Sequence, residues 1–268
     1  MSTFIPKCPV YLKAVSAHLP ERVVDNDEVI RWLGSEIRGS WIERRTGIKT
    51  RRWAAPEEAC SDLGLRAAEK VFAALPGAKE RVRQVVLGTV SGDFISPPTS
   101  PLLQDRLGLS ECGAFDVGAA CAGFVTGVHL VSALVAGTEM DHLLVNAEIR
   151  SKFLSKADFN TAVLFGDGAS AALLSTDPEN AQFRVVGTKL GADGSVFDLI
   201  KIQAGGSRQP FATDTPTADA CLKMGDGAAI FLKAVHAMTE LPATLLQSLG
   251  LRFEDLRWIV PPQASLLL

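Results

Sequence analysis

Phe115-Asp116-Val117-Gly118-Ala119-Ala120-Cys121-Ala122-Gly123-Phe124 decides how the rest of this chain is read. Ala114 to Val117 is a short strand by pattern, small residues follow, and an apolar helix opens with Ala122-Gly123-Phe124-Val125-Thr126-Gly127-Val128. That order puts a thiol at a helix N-terminus, where unpaired N–H groups and the helix dipole favour the thiolate. The small neighbours leave room for a substrate to approach the sulfur. Two readings of Cys121 stand side by side. It is a nucleophile, or it is a small buried hydrophobe, as free cysteines often are.

Outward from this unit, strands and helices alternate. Val10 to Ser16 reads as a strand and Asn26 to Trp32 as a short helix. Ser61-Asp62 is placed to cap a helix running to Leu75, with Leu63, Leu65, Ala68, Val71 and Phe72 as its apolar face. Val82 to Val90 and His142 to Ala147 have the continuous apolar character of strands covered on both faces. A helix over Ser100 to Leu107 separates the first of these from the Cys121 unit. Ala162 to Phe165 and Ala171 to Leu174 flank Gly166-Asp167-Gly168-Ala169-Ser170 as a hairpin. Phe183 to Leu190 starts a fresh strand, and Ala204 to Thr217 is a polar loop. A helix over Ala228 to Leu249 then precedes a strand at Trp258-Ile259-Val260. The pattern is α/β with a mainly parallel sheet.

With 268 residues the chain can bury a large core, and 47% apolar with 21% charged residues is an ordinary globular composition. A formal net charge of −3 gives no electrostatic case for nucleic acid or an anionic membrane. The five cysteines, Cys8, Cys60, Cys112, Cys121 and Cys221, lack metal-site spacing and read as reduced thiols of a cytoplasmic protein. No metal site is expected. No signal peptide pattern opens the chain, and the apolar runs, broken by Gly, Asp or Lys, read as too short to cross a bilayer.

Gly118-Ala119-Ala120-Cys121-Ala122-Gly123-Phe124, then Phe165-Gly166-Asp167-Gly168-Ala169, then Val260-Pro261-Pro262-Gln263-Ala264 follow one another along the chain. Upstream stand Leu19-Pro20-Glu21-Arg22-Val23-Val24-Asp25-Asn26 and Trp41-Ile42-Glu43-Arg44-Arg45-Thr46-Gly47-Ile48. In this joint order the chain resembles the β-ketoacyl-acyl-carrier-protein synthase III enzymes of the thiolase superfamily, over essentially its whole length. The resemblance implies a layered thiolase-like α/β fold of two similar halves: 1–178 with the nucleophile, and 179–268 as an incomplete second half. It implies a homodimer acting on acyl-CoA and acyl carrier protein, without a cofactor.

The implied reaction has two stages. By position, the thiolate of Cys121 takes the acyl group from an acyl-CoA. Malonyl-carrier protein then decarboxylates, and its carbanion attacks the thioester to give a β-ketoacyl product. The Cys121 N–H would help hold the tetrahedral oxyanion. By motif position, Trp41 stacks on the adenine of CoA and Arg45 meets the nucleotide phosphates. Met224 and Phe231 match positions lining the pantetheine tunnel. Surface capping, ion pairing and core packing are the competing readings of these four residues. Gly166-Asp167-Gly168 reads as a structural turn; His18, His129, His142 and His236 all lie outside the family's His motif, and His129 and His236, on helices, read as packing or surface groups.

Four departures qualify the resemblance. Pro262 stands where the family has a histidine that binds the malonyl thioester carbonyl, and the chain ends at Leu268, ahead of its partner asparagine. Proline offers no side-chain donor, and losing such a donor costs roughly a hundred- to a thousand-fold in rate. Phe159 falls where the family often has an arginine against the adenine, and Leu267 where some members carry one for docking the carrier. The apolar Leu266-Leu267-Leu268 terminus points to a truncated or frame-shifted chain. A divergent acyltransferase without condensation, and a non-catalytic pseudo-synthase or fragment that pairs with a full-length synthase, are the alternatives.

Overall fold

The computed structural model describes residues 2–265, so the readings of Leu266 to Leu268 lie outside the described residues. The first strands are β1 (Ser2–Phe4), β2 (Val10–His18), β3 (Val23–Asp25), β4 (Thr50–Arg52), β5 (Val82–Gly88) and β6 (Gly113–Val117). The others are β7 (Asp141–Glu148), β8 (Gly168–Ser175), β9 (Phe183–Val185), β10 (Thr188–Leu190), β11 (Ile200–Ile202) and β12 (Leu222–Met224). The helices are α1 (Asn26–Leu33), α2 (Ser40–Thr46), α3 (Cys60–Ala74), α4 (Ser100–Arg106), α5 (Gly123–Thr138), α6 (Phe159–Ala162) and α7 (Gly227–Leu249). They form two units interleaved in sequence. The first comprises Met1–Pro20, Ala54–Ile149 and Asp167–Gly191, and the second takes the remaining segments.

The first unit is a six-stranded sheet in the order β6-β5-β7-β8-β2-β9. β5 pairs in parallel with β6 and β7, whereas β8, β2 and β9 join antiparallel. The expectation of a mainly parallel sheet is therefore corrected to a mixed one. Helices α4 and α5 are the crossovers that keep β5, β6 and β7 parallel, whereas β8 runs back along β7.

Leu63, Ala67, Ala68 and Val71 of α3 pack on one face with Val85, Leu87, Leu143, Val145 and Leu173. Val131 and Val135 of α5 pack on the other with Val86, Leu144 and Ala172. Gly123, Gly127, Val131 and Val135 form the buried stripe of α5, one residue per turn. Each such buried valine contributes about 1.5–3 kcal/mol. A Cβ on Gly127 would stand 2.4 Å from Leu144 Cδ1, so this glycine is what lets α5 lie close to β7.

The second unit gathers Val24, Val29, Ile30, Ile42, Trp53, Leu154 and Val163 into its own core. β3 and β4 pair antiparallel, and Asp25 caps α1 by accepting from the Glu28 N–H at 2.7 Å. Arg51 is buried, and its guanidinium donates to Asn26 Oδ1 at 2.8 Å and to the Val163 carbonyl at 2.9 Å. Burial pulls its pKa down, and these oxygens replace the water it has lost. β11 and β12 form a separate antiparallel pair.

Four local expectations change. The hairpin around Gly166 is absent. Phe159–Ala162 is a helix capped by Asp158, and only Gly168–Ser175 is a strand. A short apolar run does not distinguish the two states, and here Val163, Leu164 and Phe165 pack into the second unit's core. Asp62, not Ser61, closes the start of α3, accepting from the Ala59 N–H at 2.6 Å. Trp258, Ile259 and Val260 form no strand and lie exposed, because no described strand offers them a ladder. Finally, Ala120–Thr138 and Gly227–Leu249 are long and apolar enough to cross a membrane by length and composition alone. α5 spends its apolar stripe on the sheet instead.

Candidate active site

β6 ends at Val117, and the chain passes Gly118 and Ala119 into a single turn, Ala120–Ala122, that leads directly into α5. Ala120 sits at φ 44°, a left-handed conformation that costs a residue with a side chain about 1–2 kcal/mol. This reversal leaves Cys121 exposed with a free thiol, which overturns the reading of a buried hydrophobe. The hydrogen bonds of the turn begin with Ala122 donating to the Ala119 carbonyl at 3.0 Å, followed by Gly123 donating to Ala120. The Cys121 N–H thus stands ahead of the first intrahelical donor, at the positive end of a 16-residue helix. An accessible thiol and an amide with no backbone acceptor among the described residues share one residue. That combination suits a nucleophile whose own backbone holds the oxyanion it creates.

Cys60 is the contrast. It is buried, with its sulfur 3.3 Å from the Ala147 carbonyl and 3.4 Å from Thr89 Oγ1. Burial pushes its pKa up to about 12, with Asp93, Glu148 and Asp116 adding to the shift. Burial also raises the Cys112 thiol.

Around the turn, carboxylates tie together the C-terminal ends of the parallel strands, where open α/β sheets bind ligands. Asp116 on β6 accepts from the N–H groups of Thr99 and Ser100, both at 2.8 Å, which fixes the start of α4. Glu148 at the end of β7 accepts from the Val90 N–H at 2.9 Å and from Ser91 Oγ. Ser91 Oγ in turn accepts from the Ile149 N–H at 2.9 Å. Sequence reasoning passed over Asp116, Ser91 and Glu148. An acidic residue closing an otherwise apolar strand was the available signal.

The other expected site residues lie in the second unit. Trp41 and Arg45 are one helical turn apart on α2, and the Arg45 guanidinium lies 5.3 Å from the Trp41 ring centre. Phe159 meets the same indole edge-on at 5.5 Å and 74°. Glu43 pairs with Lys49 at 3.7 Å rather than with Arg45. Asp158 caps α6 and also accepts from the Met224 N–H at 3.3 Å, which brings β12 to this group. Phe231 is half-buried near the start of α7, outside these contacts.

The histidines hold structural positions. His142 is buried, its Nδ1 is 2.8 Å from the Met140 carbonyl, and burial lowers its pKa. His129 Nδ1 lies 2.8 Å from Thr188 Oγ1, with its ring against Phe4. His18 stands 3.5 Å from an Arg66 nitrogen, and His236 is exposed on α7. Asp167 accepts from the Ala54 N–H at 2.7 Å, in an irregular segment that leads from α6 into β8 rather than in a turn between two strands. Pro262 lies exposed in coil.

Residues 115–194 match the family model described as 3-oxoacyl-[acyl-carrier-protein (ACP)] synthase III. The β-ketoacyl-[acyl-carrier-protein] synthase III of Chlamydia caviae is 36% identical over 253 residues, covering 94% of this chain and 75% of that protein. The 3-oxopimeloyl-[acyl-carrier-protein] synthase of Rhodothermus marinus is 36% identical over 265 residues, covering 98% and 76%. The crystal structure of the 3-oxoacyl-(acyl carrier protein) synthase III of Pseudomonas aeruginosa PAO1 superposes with a TM-score of 0.83 at 35% identity, over 96% of this chain and 76% of that one.

Proposed function

The chain belongs to the 3-oxoacyl-[acyl-carrier-protein] synthase III family, and from that premise we propose that Cys121 carries acyl groups as a thioester. It is an acyltransferase of the β-ketoacyl-ACP synthase III type with a thiolase-like fold. One observation carries the reading of the site. The Cys121 thiol is exposed at the start of α5, and its N–H precedes the first donor of the turn.

In the first stage the Cys121 thiolate attacks the carbonyl of an acyl-CoA thioester. The C–S bond to CoA breaks, and CoA leaves as its thiolate. The Cys121 N–H steadies the negative oxygen of the tetrahedral intermediate. In the second stage malonyl-carrier protein loses carbon dioxide, the electron pair left on carbon attacks the Cys121 thioester, and the Cys121 thiolate departs. Neither stage calls for a cofactor.

Trp41 and Arg45 are the residues for the adenine and phosphates of CoA, and Met224 and Phe231 are those for the pantetheine arm. The cation–π contact of Arg45 on Trp41, with Phe159 alongside, supports a planar, anionic ligand there. The thiolase-like halves 1–178 and 179–268 belong to the same reading. Five of the six strands of the large sheet precede residue 178, with β9 the exception. A cytoplasmic homodimer is the corresponding state of assembly.

Condensation is slow in this reading, because Pro262 has no side-chain donor for the malonyl thioester. The same residue favours a second reading, a non-catalytic subunit that pairs with a full-length synthase.

The test is the intact mass of the chain after incubation with a panel of acyl-CoAs, with Cys121→Ala alongside. The panel runs from acetyl-CoA to longer chains and to a dicarboxylic acyl-CoA, because one relative is named for a 3-oxopimeloyl product. An adduct on the parent and none on the variant supports the acyltransferase. Equal labelling of the two sinks the assignment of Cys121. A folded parent that takes no acyl group favours the pairing subunit.

A further inference from the structure

The α5 face of the sheet changes character near its end. One row reads Phe115, Val86, Leu144 and Ala172, all apolar and in the core beneath α5. Two residues further on, the same face reads Val117, Gly88, Asn146 and Ser170. Asn146 Oδ1 lies 2.2 Å from where a Cβ on Gly88 would stand, and 3.1 Å from a Cβ on Gly123. The carboxamide therefore fills space left by two glycines, against the first residue of α5. Both Oδ1 and Nδ2 are buried, and neither has a hydrogen-bond partner among the described residues. A carboxamide offers two donors and an acceptor, and leaving them unmade in the interior is costly. Alanine at this position would avoid that cost, so packing alone does not account for asparagine.

We propose that Asn146 is a positioning residue for acyl transfer. It sets the first turn of α5, and with it the direction of the Cys121 N–H, and it makes its hydrogen bonds as that turn settles around the loaded thioester. The inference rests on the reading of Cys121 as the nucleophile. It adds a residue on β7, beneath the helix, that acts through Gly123 rather than by touching substrate.

The test follows two reactions of Cys121 in the full chain: acyl loading from the best donor of the panel, and alkylation by iodoacetamide. Alkylation needs the thiolate but no oxyanion donor. Asn146→Ala is expected to slow maximal loading about ten- to a hundred-fold, with the dependence on acyl-CoA concentration and the alkylation rate unchanged. Asn146→Asp has the same shape and carries the test should the alanine variant fail to fold. Its carboxylate opposes negative charge on the thioester oxygen, so loading falls at least as far. Ser132→Ala removes another buried, unpartnered group further along α5 and is expected to leave both rates at the parental value. Parental loading in the Asn146 variants overturns the proposal. So does a parallel fall in loading and alkylation, which marks a general loss of packing. A parent that alkylates at Cys121 yet never loads an acyl group overturns the nucleophile reading instead.

Discussion

The Arg45 guanidinium lies 5.3 Å from the centre of the Trp41 ring, held there because the two side chains are one turn apart on α2. Such a contact contributes about 0.5–1 kcal/mol at an exposed site. A planar base that stacks on the indole gains the flat surface, and the guanidinium is then free to meet phosphate. Trp41→Ala is expected to raise the KM for acyl-CoA about tenfold while leaving maximal loading within about twofold. Acyl-pantetheine, which has no nucleotide, is expected to react equally well with parent and variant. A KM for acyl-CoA that does not move would remove Trp41 from the ligand site.

Cys60 and Cys121 differ in access and in environment. The Cys60 thiol is buried and pushed up to about 12, so near pH 8 it is almost wholly protonated. Brief treatment with iodoacetamide at that pH is expected to modify Cys121 and spare Cys60 until the chain is unfolded. Peptide mapping by mass spectrometry reads the order directly, and early modification of Cys60 contradicts its burial.

Gly127 lets α5 approach β7, and a Cβ there would lie 2.4 Å from Leu144 Cδ1 in a fully buried site. Gly127→Val is expected to destabilise the first unit by about 1–3 kcal/mol through overpacking. Urea denaturation followed by tryptophan-independent circular dichroism measures it. Unchanged stability would mean that Leu144 has room to move aside.

His142 is buried with its pKa lowered, chiefly by desolvation. The unfolded chain takes up this proton near the ordinary histidine value of about 6.5, before the folded chain does. The contribution of neutral His142 is therefore whole above that pH and declines as pH falls toward its folded pKa. The melting temperature is expected to drop between pH 7 and pH 5, and His142→Gln is expected to flatten that slope. An identical slope in parent and variant would rule His142 out as its source.

Periodicity placed α3, α5, α7 and the strands β2, β5, β6 and β7 within a few residues of where they lie. It failed at Ala162 to Phe165, where a four-residue apolar run fits a strand and a helix equally. It failed again at Trp258 to Val260, where a strand-like sequence has no neighbour to complete its hydrogen bonds. The local signal stops at the residue, whereas a strand exists only as one member of a pair.

The order of motifs around Cys121, Trp41 and Gly166 determined the family and the α/β class, because both depend on residue type and spacing along the chain. Tertiary structure alone decided that Cys121 is exposed while Cys60 is not, and that Glu148 and Asp116 bind the loops beside the Cys121 turn. It alone brought Asn146 under Gly123. Burial and hydrogen bonding belong to groups that meet from distant parts of the chain, and their energies depend on who the neighbours are. Spacing along one strand or one helix carries no record of what lies across from it.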